Sequence, residues 1–247
     1  MKYNYQIIIE YDGTNFVGWQ SQKNGASVQD CIQNSLKKYL KIKTKIVGSG
    51  RTDAGVHAIK QYANFFINKK INDKNKFIDA INYFLKRKAV SVLDIKNKNL
   101  KFNSRFSAKK RIYKYIITNR QGTLSINRNR SWLVKKKLNV KLMKSGAKML
   151  NGTHDFSTFR AASCGAKSPV KKIDKIRVYK NKNDIIFIFE SKSFLQNQVR
   201  SMVGSLKFLG EGKWKISDFL KAFKSKKRAN CATPAPAYGL YLLDVKY

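Results

Sequence analysis

Apolar runs at strand spacing alternate with apolar residues at helical spacing along the whole chain, and that alternation restricts it to a fold mixing sheet with helix. YNYQIIIEYDGTNFVGWQ begins as a strand, turns at Asp12-Gly13 and runs on as a loop in which Phe16 and Trp19 look exposed. Ser27-Val28-Gln29-Asp30 has the form of a capping box that opens a helix, and Val28, Ile32, Leu36, Tyr39 and Leu40 then share one face. A short strand at 45–47 leads into VGSGRTDAGVHA (47–58), and QYANFFI (61–67) is the strand leaving it. A helix follows at 76–85, strands at 89–95 and 107–118, a short strand at 132–134 and a helix at 140–150. Strands at 173–179 and 185–190, helices at 195–209 and 216–223, and a last strand at 239–247 complete an α+β chain. We divide it into an N-terminal half, 1–105, and a C-terminal half, 106–247.

Hydrophobic residues make up 43% of the 247, so a sizeable core can form. Against 14 Asp+Glu stand 52 Lys+Arg, a formal charge of +38 that points to a polyanionic partner, nucleic acid or an anionic membrane surface. Binding to nucleic acid through such charge should weaken steeply with salt. The crowding of Lys, Asn and Ile beside only 3 Pro is also what AT-rich coding drift leaves at permissive surface positions, so the excess is part footprint and part drift. The run Ile7-Ile8-Ile9 stops at Glu10, too short for a signal peptide or a span. Cys31, Cys164 and Cys231 are odd in number and form no CxxC, which suits a reducing cytoplasm. With only two histidines, His57 and His154, and no cysteine pair, a His/Cys zinc site would need scattered residues to converge by chance. GSGRTDAG lacks the Gly-Lys-Ser/Thr ending of a phosphate loop.

Asp53 is the lone carboxylate in the quoted loop. Beside Gly, an Asp commonly folds an Asx-turn or a cap. Here Gly48, Gly50 and Gly55 would let the backbone approach a bulky ligand, and Arg51 favours the ionised carboxylate, which suits a nucleophile or general base. Leu195, Val199, Met202, Val203 and Leu206 form a helix stripe with Arg200 at its margin, either snorkelling or facing a cleft where it needs a carboxylate partner. Tyr113 and Tyr115 share one strand face, as core or as a surface for base stacking. His154-Asp155-Phe156 has the look of a structured turn, scaffold or site.

With these residues in view, the chain resembles the tRNA pseudouridine synthase A family. YDGTNFVGWQ (11–20), GRTDAGVHA (50–58), RFSA with the following RIYKYII (105–117), NGTHDFSTFRA (151–161), FLQNQVRSMVGSL (194–206) and PAPAYGLYLLDVKY (234–247) are similar to family blocks, in family order. The resemblance implies two α/β halves joined through a mixed, mostly antiparallel sheet with a basic central cleft. It implies isomerisation of uridine to pseudouridine at tRNA positions 38, 39 and 40, without metal or cofactor, by a cytoplasmic homodimer. Asp53 falls on the family's catalytic aspartate, Arg200 on its paired arginine, Tyr113 on the tyrosine packing against the target base, and Arg51 on an arginine near the flipped nucleotide. Arg105, Lys110, Arg111 and His154 are then candidate RNA contacts. The chain departs from the family at Leu85-Lys86, where Leu-Pro is usual, and at Asn103-Ser104, where His-Ala is frequent. Two rivals stay open: a non-catalytic basic RNA-binding protein, suggested by charge alone, and a nucleotide-phosphate enzyme using the Gly-rich loop.

Overall fold

A computed structural model describes residues 1–247, which form two compact units: Met1–Arg111 with Leu242–Tyr247, and Ile112–Tyr241. Both exchanges of chain between the units fall inside strands, β5 (Lys110–Asn119) and β10 (Leu240–Lys246).

In the first unit the strands lie in the order β4 (Val90–Lys98), β1 (Tyr3–Tyr11), β3 (His57–Ile67), β10, with the two-residue β2 (Val47–Gly48) on β3. β1 runs antiparallel to both neighbours, Ile7 pairing Ala63 on one side and Ile95 on the other. Tyr5, Ile7 and Ile9 point into a core closed by α1 (Val28–Leu40) and α2 (Lys74–Leu85) through Val28, Ile32, Leu36, Phe77 and Ile81. Phe65 and Phe77 stack across this core at 6.2 Å. The expected N-cap forms: Asp30 N donates to Ser27 Oγ at 3.0 Å, and Ser27 Oγ donates to Asp30 Oδ2 at 2.6 Å, a side-chain pair rather than the reciprocal backbone bond of a capping box. Tyr39 departs from the expected face. It is exposed and meets Phe77 only with a ring edge. The reverse face of β1 is buried too, because Asn4 and Gln6 are covered.

The second unit orders its strands β5, β9 (Asp184–Ser191), β8 (Val170–Asn181), β7 (Gly152–Asp155). β8 is antiparallel to both β7 and β9, whereas β6 (Trp132–Val134) lies parallel to β5, which makes the pairing mixed. β7 stands where a turn was expected; pairing of His154 with Lys171 supplies the ladder that Gly-Thr-His-Asp does not advertise. Three helices, α3 (Val140–Met149), α4 (Gln198–Gly210) and α5 (Ile216–Lys224), complete the unit. The expected stripe of α4 is core: Val199, Met202, Val203 and Leu206 are all buried. The helix starts at Gln198 rather than near Leu195, because Asn197 sits in the left-handed region at φ 61°. No helix is long and apolar enough to cross a membrane.

Candidate active site

Asp53 lies in the loop between β2 and β3, partly exposed, with Arg51 exposed and Thr52 buried beside it. The loop is irregular but tightly fixed. At its start Ser49 is fully buried: its N–H donates to Tyr62 O at 2.7 Å and its hydroxyl to Gln61 Oε1 at 2.6 Å. Gln61 Nε2 reaches back to Gly50 O at 2.8 Å, so one buried amide holds two loop residues. Arg111, at the start of β5, donates from Nε to Ser49 O at 2.9 Å and from its terminal nitrogen to Arg105 O at 2.8 Å. One guanidinium thereby joins the loop to the turn that carries Arg105.

The other wall of the loop is the segment after β1. Tyr11 and Thr52 share a buried hydroxyl–hydroxyl bond of 2.8 Å, and Trp19 N donates to Thr52 O at 3.1 Å. Two glycines allow the backbones to touch. A Cβ on Gly13 would stand 2.1 Å from Val56 O, and one on Gly18, whose φ is +114°, would stand 2.5 Å from Thr52 O. Phe16 and Trp19, expected to be exposed, are buried instead. Gly48 leaves the space that the Trp19 indole fills; any Cβ there would stand 2.4 Å from the ring. Asp12 makes the expected turn, accepting from Thr14 N at 3.0 Å.

In the second unit Arg200 sits in the first turn of α4, half-buried. Its Nε donates to Ala235 O at 2.8 Å and its terminal nitrogen to Asn197 Oδ1 at 3.1 Å. Ala235 N donates in turn to Arg200 O at 2.9 Å, so helix and C-terminal segment grip each other at this residue. Tyr113, on β5, is buried with its ring edge-on to Phe194 at 5.2 Å. Its neighbour on the same face, Tyr115, is core: fully buried, its hydroxyl donates to Pro236 O at 2.8 Å, and burial pushes that phenol well above its ordinary pKa. His154 lies elsewhere in this unit, on β7. Its Nε2 is 2.8 Å from Asn151 O, and its ring stands edge-on to Phe156 and Phe223. Arg105 is exposed and Lys110 is half-buried. No group of three or more His, Cys, Asp or Glu is arranged to hold a metal ion.

The supports of the loop were the residues hardest to find beforehand. Ser49, Gln61 and Tyr11 act by positioning, Arg111, expected among the RNA contacts, also holds the loop through Ser49 O, and only the density of Gly around Asp53 signals that a loop there is packed closely.

A family model described as tRNA pseudouridine synthase matches residues 7–107 and 147–247, spanning the Asp53 loop and Arg200. The chain belongs to this family. Among its relatives are proteins titled tRNA pseudouridine synthase A from Pelagibacter ubique, 54% identical over 99% of this chain and 100% of the relative, and from Parvibaculum lavamentivorans, 44% identical over 98% of each. One from Brucella anthropi is 42% identical over 98% of this chain and 97% of that protein. A chain from a Cbf5-Nop10-Gar1 complex aligns over 82% of this chain and 54% of its own at 10% identity, with a TM-score of 0.33, too remote to support a structural argument. Like its family, the protein is an isomerase, and its α+β fold is the pseudouridine synthase fold.

Proposed function

We propose that this synthase isomerises uridine to pseudouridine at positions 38, 39 and 40 in the anticodon stem-loop of tRNAs, with Asp53 as nucleophile or base. The observation that carries the reading is full-length identity of 54% to a relative titled tRNA pseudouridine synthase A. The reaction breaks the bond from N1 of uracil to C1′ and forms one from C5 to C1′. The C5 proton leaves, N1 gains one, and no other reagent is consumed. Asp53 supplies the single anionic group this chemistry needs. Arg200 keeps that carboxylate charged while water is excluded, and Tyr113 packs on the uracil ring. Arg51 lies beside the flipped nucleotide. The target base must leave its stack, at a cost of a few kcal/mol that contacts from Lys and Arg to phosphate can offset. Such contacts carry no base information, which suits three neighbouring uridines in many tRNAs. The enzyme works in the cytoplasm as a homodimer, without cofactor.

The test is incubation with an unmodified tRNA transcript, mapping pseudouridine by carbodiimide-dependent stops in reverse transcription. Wild type should mark positions 38 to 40, and Asp53→Asn should bind tRNA but mark nothing. Equal marking by both proteins would remove Asp53 from the chemistry. Wild-type marks confined to other positions would overturn the assignment of the target.

A further inference from the structure

Phe106 is 78% exposed, one of the most exposed large apolar side chains of the protein, yet the turn that presents it is among the most firmly pinned. The anchorage begins in the strands. Buried Asn4 donates to Asn99 O at 2.8 Å and Phe102 O at 2.9 Å, and accepts from Asn64 Nδ2 at 3.0 Å. Asn64 Oδ1 then accepts from Ser104 N at 2.8 Å, and Tyr247 donates its hydroxyl to Ser104 O at 3.0 Å. Within the turn Asn103 Oδ1 accepts from Arg105 N at 2.9 Å and Phe106 N at 3.2 Å, and Ser107 N donates to Asn103 O at 2.8 Å. These bonds fix the backbone that carries Phe106, and the ring stands open to solvent. An exposed aromatic on a mobile loop needs no explanation, but one fixed outward forfeits burial permanently.

Its surroundings indicate the ligand. The Arg105 guanidinium lies 5.7 Å from the ring centroid, and Lys101, Lys109 and Lys110 flank the turn in sequence. An aromatic face combined with dense positive charge, in a chain of net charge +38, matches a nucleobase and its phosphates and repels a basic partner. Arg111 bonds both Arg105 O and Ser49 O, tying the platform to the loop that bears Asp53.

We propose that Phe106 is a stacking platform for an unpaired base of the RNA substrate other than the reacting uridine, with Arg105 against the adjoining phosphate. This deepens the proposed function and rests on it. The ring sets the position of the RNA relative to the catalytic loop and takes no part in bond making.

The experiment measures direct binding and steady-state turnover on an unmodified tRNA transcript for wild type, F106A, F106L and F106W, with a fully paired RNA duplex as second ligand. Phe106 is exposed, so all four proteins should fold alike. Stacking of one base on an aromatic ring predicts that F106A weakens tRNA binding about tenfold, within a range of roughly 5- to 150-fold. KM should rise by a similar factor with kcat little changed. F106W should restore the wild-type value and F106L should not, and duplex binding should be equal in all four. Unchanged tRNA binding in F106A, restoration by F106L as good as by F106W, or an equal loss on the duplex would each overturn the platform. Absence of pseudouridine with wild-type protein would strike the proposed function instead, and the binding series would still decide the role of Phe106.

Discussion

The two units place the side chains proposed for catalysis by opposite means. Asp53 stands on irregular backbone, and its position is the sum of many small constraints: a shared hydroxyl bond from Tyr11, a buried Ser49–Gln61 pair, an Arg111 clamp and two glycines that let backbone lie on backbone. Arg200 stands on a regular helix whose apolar stripe is buried, and two hydrogen bonds finish its orientation. Damage to the loop can therefore spare the fold of its unit. The helix is so embedded that disturbing it disturbs the core.

The strongest challenge to this contrast is chemical. Asp53→Asn keeps the size and most hydrogen bonds of the side chain while removing its charge, so stability should hardly move. Turnover should fall by at least ~100- to 10,000-fold if the carboxylate acts as base or nucleophile. Denaturant titration beside single-turnover kinetics checks both halves of that expectation.

A pair of glycine substitutions comes next. In Gly204→Ala the new Cβ would stand 2.0 Å from Thr233 O, wedging α4 away from the segment that Arg200 grips. In Gly13→Ala it would stand 2.1 Å from Val56 O, in the wall of the Asp53 loop. Each collision is with backbone, so each should cost ~1–3 kcal/mol or more. The contrast lies in the distribution of damage. Gly204→Ala should lower the denaturation midpoint most, whereas Gly13→Ala should lose more activity than stability. The reverse outcome would break the comparison.

Arg111→Met sharpens it. The guanidinium is committed to two carbonyls, Ser49 O and Arg105 O, so its loss should cost about 1–2 kcal/mol and loosen the Asp53 loop. A residue that positions a loop leaves the salt dependence of tRNA binding unchanged, whereas one that neutralises a phosphate lowers the log–log slope by ~1. We expect the unchanged slope together with reduced turnover.

The same contrast explains which parts were legible beforehand. The Val199-Met202-Val203-Leu206 stripe and the Ser27 cap follow from spacing alone, because helix burial is periodic and capping is local. The Asp53 loop was visible as a cluster of Gly around one carboxylate, but its supports come from residues far away in the chain, Tyr11 and Arg111 among them. Phe16 and Trp19 seemed exposed because nothing beside them in the chain announces that Gly48 opens a slot for an indole. The turn expected at His154 is a strand because β8 offers it a ladder, a tertiary effect that overrides the local preference of Gly and Asp.

The smallest expected effect at neutral pH belongs to Tyr247, whose hydroxyl holds Ser104 O and whose ring meets Tyr62 and Phe102 edge-on or tilted at 5.5 and 5.1 Å. Tyr247→Phe removes one hydrogen bond, about 1 kcal/mol. Alkaline pH separates the two proteins further. Burial pushes the Tyr247 phenol up to about 12, from an ordinary value of 10.0, despite nearby groups that favour the phenolate. A raised pKa means the folded state prefers the neutral phenol. The associated stability is therefore complete below pH 10 and disappears as pH climbs toward about 12, amounting to roughly 2–3 kcal/mol at most. Tyr62 is shifted in the same direction, by burial first and then by its bond to Asp244, so some alkaline loss persists without Tyr247. Urea midpoints measured from pH 8 to pH 11.5 should fall less steeply in Tyr247→Phe than in wild type. Parallel curves would mean that the phenol titrates as freely in the folded protein as in the unfolded chain, and would remove Tyr247 from the supports of the turn beside the Asp53 loop.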